Sequence, residues 1–420
     1  MDRRKLQAVL AAIAVVSCLA VIFYVYSRPA RNGFGAEHDF VNVIAGSHCI
    51  LDRCDPYDSP TLEREFMKMG GYAPPAPFKP EWPVYPPNTL ILLLPLALLP
   101  WPVLSVVWLL ACFGFMTAAF LALLFRFEAY RSWLLFVPFV ILLADGSIGW
   151  AVQLGQPILI AAPALVLAIL ALEPGTMPVA GGVLLALSMS LKPQGAFLCA
   201  AYFLLKARTR MPALAAYLFP AIAGIAGTLL IYFRLSSFAY LKHLAANLKL
   251  AVQPGRDADF SLQNDKASSS FLNLQAFLAR LIHNPHLCSA LTDLVFLAVL
   301  ALLIFVCWRK GNYAARPYTV LAVLAMLELL VTYHRLYDHA LMLAAIPGMY
   351  EIQKRGNFSY FLFVLGLFVY HFSQFHGLKI HGYGPFPSGA PVELMIAAIC
   401  LESLWENRQV KSRPGMERPA

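Results

Sequence analysis

The chain has 420 residues, of which 60% are hydrophobic and only 13% are charged, and its mean hydropathy is +0.65. A soluble domain carries about 25% charged residues, so this chain has too little polar surface to cover a globule, and lipid must cover the rest. The formal net charge of +9 favours contact with anionic lipid headgroups. No compact basic domain or recognition motif is present, which excludes a nucleic-acid partner.

Apolar runs recur along almost the whole chain and predict membrane-spanning helices. The predicted spans are residues 8–26, 103–125, 133–144, 157–172, 179–191, 196–205, 212–233, 291–308, 318–332, 340–350, 358–372 and 392–405. Several are shorter than the ~20 residues that cross the hydrocarbon layer, so some are broken, tilted or paired. The sequence thus predicts one all-α, polytopic membrane domain over residues 1–420, with about 10–12 transmembrane helices.

Residues 89–99, which lie between Pro87 and Pro100, are too few to span the bilayer. They predict an interfacial or re-entrant helix that leads into the next span.

Basic residues are concentrated in alternate connections, which predicts the orientation. One set of short segments carries Arg3, Arg4, Lys5, Arg126, Arg131, Lys206, Arg208, Arg210, Arg309, Lys310, Arg316, Lys354, Arg355 and, in the tail 406–420, Arg408, Lys411 and Arg413. The other set carries almost none. By the positive-inside rule both termini are cytoplasmic, and the loops 27–88 and 234–290 lie outside. The first span is expected to be a retained anchor. We therefore expect a multi-pass protein of the plasma or inner membrane.

The first outer loop is rich in acidic residues and prolines. It opens with Glu37-His38-Asp39, continues through Cys54-Asp55-Pro56-Tyr57-Asp58 and closes on Trp82-Pro83-Val84-Tyr85-Pro86-Pro87. Acids just outside a membrane helix suit an enzyme that acts on a lipid-borne substrate at headgroup depth. Cys49 and Cys54 form a small disulfide loop in an oxidising compartment or remain two unrelated thiols, since spacing alone does not decide connectivity.

The second outer loop begins with an amphipathic stretch, residues 238–252. One face carries Leu241, Leu244, Ala245, Leu248 and Val252, with Lys242 and Lys249 off it, which is typical of a helix on a membrane surface. The polar segment 253–270 is predicted to be a mobile loop, either a lid over a site or a plain connector.

Polar residues at the predicted outer membrane ends form four groups: residues 37–39, 153–156, 191–194 and 332–339. Each group alone has a structural explanation: Lys192 as a snorkelling cation, Arg335 and Asp338 as an ion pair, Gln156 as a helix cap. Together they place an acid, two cations, histidines and glutamines on one side of the membrane. Lys192 and Arg335 suit an anionic phosphate, and Asp39 suits proton removal from a hydroxyl.

Several alternative chemistries lack their motifs in this sequence. No phosphate-binding loop or dinucleotide fingerprint occurs, which disfavours a nucleotide donor. No HExxH motif or zinc-type Cys/His spacing occurs, and the scheme requires neither metal nor cofactor. A Ser-His-Asp hydrolase stays open, although no GxSxG elbow is present.

The order of these motifs resembles glycosyltransferase family 87, a family of the GT-C superfamily of polytopic enzymes. The resemblance covers about residues 35–350 and rests on Asp39-Phe40, Asp55-Pro56-Tyr57-Asp58, Tyr85-Pro86-Pro87, Leu94-Pro95-Leu96-Ala97-Leu98-Leu99-Pro100, Leu154-Gly155-Gln156-Pro157, Gly181 to Leu187, Leu191-Lys192-Pro193-Gln194 and Tyr337-Asp338-His339. Relatives often have Asn-Gly-Gln where this chain has Leu154-Gly155-Gln156, and an aromatic residue where it has Val43-Ile44.

The resemblance implies a GT-C-like bundle whose extracytoplasmic first loop carries interfacial helices. It implies a polyprenyl-phosphate sugar as donor, a mannose-like hexose or a pentose, and an inverting transfer to a lipid or glycan acceptor on the outer face. The catalytic acid of the first loop maps to Asp39. The predicted substrate-binding residues are Lys192, Arg335, His334, Gln156, Tyr337, Asp338 and Tyr85.

A transporter or flippase of an anionic lipid or solute is the alternative, since it would use the same cations. Transporters usually place ionisable groups near the bilayer midplane and often show repeat symmetry. Here the charged groups gather at one predicted interface, so a cavity that joins Asp39, Lys192 and Arg335 favours the enzyme.

Overall fold

The computed structural model describes residues 38–71, 83–127, 142, 146–253, 256, 258–260, 273–282, 284–308, 316–332, 334–353 and 393–401. These residues are helical, with no β-strand among them. The α-helices are α1 (His38–Leu51), α2 (Ser59–Lys68), α3 (Pro87–Leu93), α4 (Trp101–Arg126), α5 (Gly146–Leu154), α6 (Ile158–Leu172), α7 (Pro178–Leu191), α8 (Phe197–Leu205), α9 (Arg210–Leu235), α10 (Ala239–Ala251), α11 (Leu274–Leu281), α12 (Pro285–Trp308), α13 (Pro317–Val331) and α14 (Ile346–Gln353). Residues 393–401 are also helical.

Three helices, α4, α9 and α12, are long and apolar enough to cross a membrane. A 26-residue helix such as α4 or α9 is roughly 39 Å long, more than the ~30 Å hydrocarbon layer. Each leaves large apolar side chains exposed, for example Leu110, Ile225 and Leu297. Lipid is the solvent that suits such faces, and the prediction of an all-helical membrane protein is confirmed.

Shorter apolar helices form the centre of the bundle. In α6 and α13 nearly every side chain is buried. Helices α6 and α7 pack so closely that a Cβ atom added at Gly181 of α7 would lie 2.6 Å from the Leu172 side chain of α6. Burial of the helix ends is compensated by carboxylates: Glu328 of α13 accepts hydrogen bonds from the Phe197 and Leu198 backbone amides, at 2.6 and 3.3 Å. These are two of the N–H groups that the first turn of α8 leaves without helical partners.

Some predicted spans lie outside the described residues: 8–26, 358–372 and, except for Leu142, 133–144. The run 89–99 does not span. It divides at Pro95 into α3 and the 3-10 turn Leu96–Leu98, because proline interrupts the helical hydrogen-bond pattern.

The predicted span 340–350 differs from the structure. A 3-10 helix, Leu336–Ala345, runs into α14 instead. The Asp338 carboxylate accepts a hydrogen bond from the Arg335 backbone amide at 3.2 Å and so fixes the start of this segment.

The two predicted outer loops pack against each other. In the first loop, α1 and α2 are joined by a turn that the Cys49–Cys54 disulfide closes. In the second loop, α10 occupies the predicted amphipathic stretch. Asn247 donates hydrogen bonds to the backbone oxygens of Tyr57 and Pro83, at 3.0 and 3.1 Å. This contact makes α10 a wall of the region above the bundle.

The buried face of α10 is not the apolar one. Tyr240 and Asn247 are buried, whereas Leu248 and Val252 are 49% and 64% exposed. Aromatic and polar side chains therefore attach α10 to the first loop, and its apolar face stays available to lipid, as the amphipathic pattern predicts.

Candidate active site

A cavity of about 600 Å³ lies between the two loops and the ends of the central helices. Charged residues of both signs line it: the acids Asp39 and Asp259, and the cations Lys192 and Arg335. Apolar residues of α10 and of the segment before α3 complete the wall, among them Leu248, Val252 and Val84. The cavity thus offers an ionic part and an apolar part to one ligand, which suits a molecule with a charged head and a hydrocarbon tail.

Asp39 lies in the first turn of α1, where the helix macrodipole stabilises a carboxylate. The side-chain amide of Gln156 donates a hydrogen bond to Asp39 Oδ2. Gln156 is 1% exposed and does not line the cavity. It therefore orients the Asp39 carboxylate from the side that faces the protein interior.

The turn that presents Gln156 is fixed by its neighbours. Gly155 has a φ of +62°, a left-handed conformation that glycine adopts without a steric penalty. Its carbonyl oxygen accepts a hydrogen bond from Trp108 Nε1 at 2.9 Å. The ring of Phe40, the residue after Asp39, stacks on the same Trp108 with 4.0 Å between ring centroids. One tryptophan of α4 therefore aligns both halves of the Asp39–Gln156 contact.

Lys192 stands where α7 ends. The following Pro193 disfavours a helical conformation for Lys192, which has φ −150° and ψ 76°. Its ammonium lies 2.9 Å from Asp338 Oδ1 and 5.0 Å from the Tyr337 ring centroid. The Lys192 side chain is 9% exposed and the Asp338 side chain 1%, so this is a buried ion pair at the cavity wall.

A histidine completes the surroundings of Asp338. His334 Nδ1 lies 3.1 Å from Asp338 Oδ2, and Nε2 lies 3.3 Å from the Gln194 backbone oxygen. Burial by itself raises the pKa of the Asp338 carboxyl, but the Lys192 charge and the His334 hydrogen bond outweigh burial and lower the pKa to about 2. Asp338 is therefore ionised at neutral pH, and the network positions Lys192 and the start of the Arg335–Tyr337 segment.

These observations separate the predicted site residues into two layers. Asp39, Lys192, Arg335, Tyr337 and Tyr85 line the cavity. The other three are buried behind it: Gln156 contacts Asp39, Asp338 contacts Lys192, and His334 contacts Asp338. The structure thus brings five separate chain segments to one site.

A family model of glycosyltransferase family 87 matches residues 83–332, more than half of the 420 residues. The chain belongs to glycosyltransferase family 87. Neither a curated protein nor a solved structure shows significant similarity to it. The matched range includes Tyr85, Gln156 and Lys192. Asp39 and the residues 334–338 lie beyond its limits, so their place in the site rests on the geometry above.

Family membership makes this protein a membrane glycosyltransferase, which favours the enzyme over a transporter or flippase. A transferase needs one site that holds donor and acceptor together, and the cavity joins Asp39, Lys192 and Arg335 in that way.

The glycosyltransferase cavity contains polar residues that the sequence did not indicate. They are Asn42, Asp259 and Gln275, whereas Gln194, which also lines the cavity, belongs to the predicted group 191–194. Asp259 is 8% exposed. It belongs to the polar segment 253–270, which the sequence predicts to be either a lid or a plain connector. The Ala258 amide donates to the Ala251 carbonyl oxygen at 2.8 Å and so attaches this segment to the end of α10. The amphipathic pattern predicted α10, but nothing local indicated that the next residues turn back over the cavity.

One further group of described residues has metal-ligating atoms close together: His48, Asp52 and Glu65 lie within 4.8 Å of one another. The Lys68 ammonium binds both carboxylates there, at 2.9 Å from Asp52 and 2.7 Å from Glu65. The group lies at the far end of α1 from Asp39, and this lysine already supplies a cation to it.

Proposed function

We propose that this glycosyltransferase moves a mannose-like hexose or a pentose from a polyprenyl-phosphate donor to a hydroxyl group of a lipid or glycan acceptor. The observation that supports this proposal is the single cavity with Asp39, Lys192 and Arg335 in its wall and an apolar side along α10. Fixed cations suit the donor phosphate, and the exposed apolar faces of Leu248 and Val252 suit its prenyl chain.

The reaction follows from the placement of acid and cations. Asp39 removes the proton from the acceptor hydroxyl, and the hydroxyl oxygen forms a bond to the anomeric carbon of the sugar. The bond between that carbon and the phosphate oxygen breaks, and its electron pair leaves with the polyprenyl phosphate. Attack from the face opposite the phosphate inverts the anomeric configuration.

The cations act on the leaving group. Negative charge on the phosphate grows as the bond breaks, so Lys192 and Arg335 stabilise the transition state more than the bound donor. The buried Asp338 keeps the Lys192 ammonium at the wall, 2.9 Å from its own oxygen. Tyr337 and Tyr85 contribute aromatic surface to the same wall, and aromatic rings pack against the apolar faces of sugars and lipid chains.

The proposed location is the extracytoplasmic face of the plasma or inner membrane. It is supported by the distribution of basic residues, which are concentrated in the connections on the other side, such as Lys206, Arg208 and Arg210 at the start of α9.

The experiment uses the full-length enzyme in lipid nanodiscs with radiolabelled polyprenyl-phosphate mannose or arabinose and a membrane lipid extract as acceptor. We expect label to move into a new lipid or glycan product with inverted anomeric configuration, and Asp39→Asn to lower the rate of transfer by ~10²–10⁴. Transfer from a nucleotide sugar, with none from any polyprenyl-phosphate sugar, would contradict the proposed donor class.

A further inference from the structure

Asn42 lies one helical turn after Asp39 on α1. Side chains at positions i and i+3 of a helix share a face, with ~5–6 Å between their Cβ atoms. Asn42 lines the same cavity as Asp39 and is 5% exposed. A ligand group that reaches Asp39 therefore has its adjoining atoms beside the Asn42 amide.

The Asn42 side-chain oxygen is buried and has no hydrogen-bond partner among the residues that the structure describes. A buried acceptor without a partner destabilises the folded protein, and native proteins leave few such groups. The sequence neighbours of Asn42 on α1, Phe40, Val41 and Val43, are apolar and buried. Because Asn42 lines the cavity, a hydrogen-bond donor of a bound ligand can reach its side-chain oxygen.

The chemistry of the amide restricts that partner. A carbonyl oxygen needs a donor, and the phosphate of a polyprenyl-phosphate sugar only accepts at neutral pH, while the prenyl chain does neither. A sugar hydroxyl donates and accepts, so it pairs with the amide in either orientation about the Cβ–Cγ axis. We infer that Asn42 binds a non-reacting hydroxyl group of the carbohydrate held beside Asp39 and so selects among sugars.

This inference rests on the proposed function and adds a specificity determinant to it. A site that forms a hydrogen bond to a substrate hydroxyl discriminates against the analogue that lacks it, because the protein group is then left unpaired. The donor sugar and a glycan acceptor both offer such hydroxyls, and the measurements below distinguish them.

The test compares Asn42→Leu, which keeps the volume and removes the polar group, with the wild-type enzyme in nanodiscs. Ser190→Ala is the matched control, because Ser190 Oγ is also buried without a partner in the described part of the chain but lies outside the cavity lining. The quantity measured is the affinity for polyprenyl-phosphate mannose or arabinose divided by the affinity for polyprenyl phosphate without a sugar.

If Asn42 binds the donor sugar, Asn42→Leu lowers this ratio about 10-fold, leaves binding of the bare lipid phosphate unchanged, and removes discrimination against one mono-deoxy analogue. If it binds the acceptor, the ratio stays constant and the acceptor KM rises by a similar factor. Either result supports a carbohydrate contact. An unchanged ratio together with an unchanged acceptor KM overturns it, as would occur if a trapped water were the partner.

Stability provides a second measurement. Without ligand, Asn42→Leu should unfold at the same or a higher temperature than wild type, since an unpaired buried polar group is lost. A clearly lower melting temperature, with Asn42→Ala giving the same ratio as wild type, would show a structural role and overturn the inference. Failure of the proposed function is recognised separately, because the wild-type enzyme itself would then bind no sugar-bearing lipid better than bare polyprenyl phosphate.

Discussion

Gln156 donates its side-chain amide hydrogen to Asp39 although 117 residues separate the two in sequence. The contact joins α1 to the turn before α6, and Trp108 stabilises both sides of it. A carboxylate that accepts a fixed hydrogen bond keeps one orientation, which a general base requires.

Gln156→Leu removes this hydrogen bond while leaving the cavity lining intact. Hydrogen bonds to charged groups contribute ~1.5–3 kcal/mol, so we expect kcat to fall roughly 10- to 100-fold with little change in the donor KM. Steady-state kinetics with Gln253→Leu, an exposed glutamine, as control measure the effect. An increase in KM at constant kcat would instead indicate that Gln156 contacts the donor.

Among the described residues, the acids that line the cavity are Asp39 and Asp259, and substitution to asparagine separates their roles. If Asp39 is the base, Asp39→Asn lowers turnover by ~10²–10⁴ while donor affinity stays near the wild-type value. Asp259→Asn should reduce turnover much less. The reverse order of effects would assign the base to the segment between α10 and α11.

Arg335→Ala should lower kcat/KM by roughly 30- to 1,000-fold, the range for loss of one charge-assisted contact to a developing anion. Arg335→Lys should recover part of the activity, because lysine keeps the charge but lacks the two-pronged geometry. Arg208→Ala is the control, since Arg208 is exposed and does not line the cavity. Equal activity of Arg335→Ala and Arg208→Ala would place the phosphate elsewhere.

The orientation is tested at the two ends of α9. Ala207 and Ser237 are exposed and flank this 26-residue helix, so single cysteines placed there lie on opposite sides of the membrane. In intact cells an impermeant thiol reagent should label Ser237→Cys and not Ala207→Cys. The wild-type protein is the background control, and the free cysteines whose side chains the structure describes, Cys112, Cys199, Cys288 and Cys400, are buried. Labelling of Ala207→Cys alone would reverse the proposed topology.

Much of the fold was predictable, because helices that face lipid appear in the sequence as long runs of apolar residues. The spans that became α4, α9 and α13 were predicted within a few residues, and Pro87 and Pro100 bounded the run that contains α3. The short span 340–350 is divided between a 3-10 segment and α14, which apolar composition alone does not indicate, because the Asp338 contact with the Arg335 amide at the start of the segment is a matter of tertiary structure.

The candidate site was predictable only in part. Ionisable residues at predicted membrane ends indicated Asp39, Lys192 and Arg335, because their burial in lipid would be costly. The sequence could not show that Lys192 and Asp338 pair, or that Gln156 stands behind Asp39. Asn42 and Asp259 gave no signal, because an asparagine within a helix and an acid within a polar loop are ordinary until the tertiary fold places them in one cavity.

A double-mutant cycle at Lys192 and Asp338 distinguishes their effect on stability from their effect on activity. Loss of one partner leaves a buried charge and costs ~3–5 kcal/mol, whereas replacing both with apolar side chains is often neutral. We therefore expect Lys192→Met and Asp338→Leu each to lower the melting temperature strongly. The double variant should recover part of the loss, because His334 and the Arg335 backbone amide still lack the Asp338 carboxylate. Activity should stay low in the double variant, because the cation at the cavity wall is still missing.

The contribution of Asp338 to stability depends on pH. The pKa of Asp338 is about 2 in the folded protein, below the ~3.9 of an unfolded aspartate. Its contribution to stability is therefore fully present above about pH 4 and is lost as the pH falls through the folded value. The difference in melting temperature between wild type and Asp338→Leu should thus be constant from pH 7 to 9 and shrink below about pH 4. Recovery of wild-type turnover by the Lys192→Met, Asp338→Leu double variant would show that the pair serves stability alone, and the phosphate contact would then rest on Arg335.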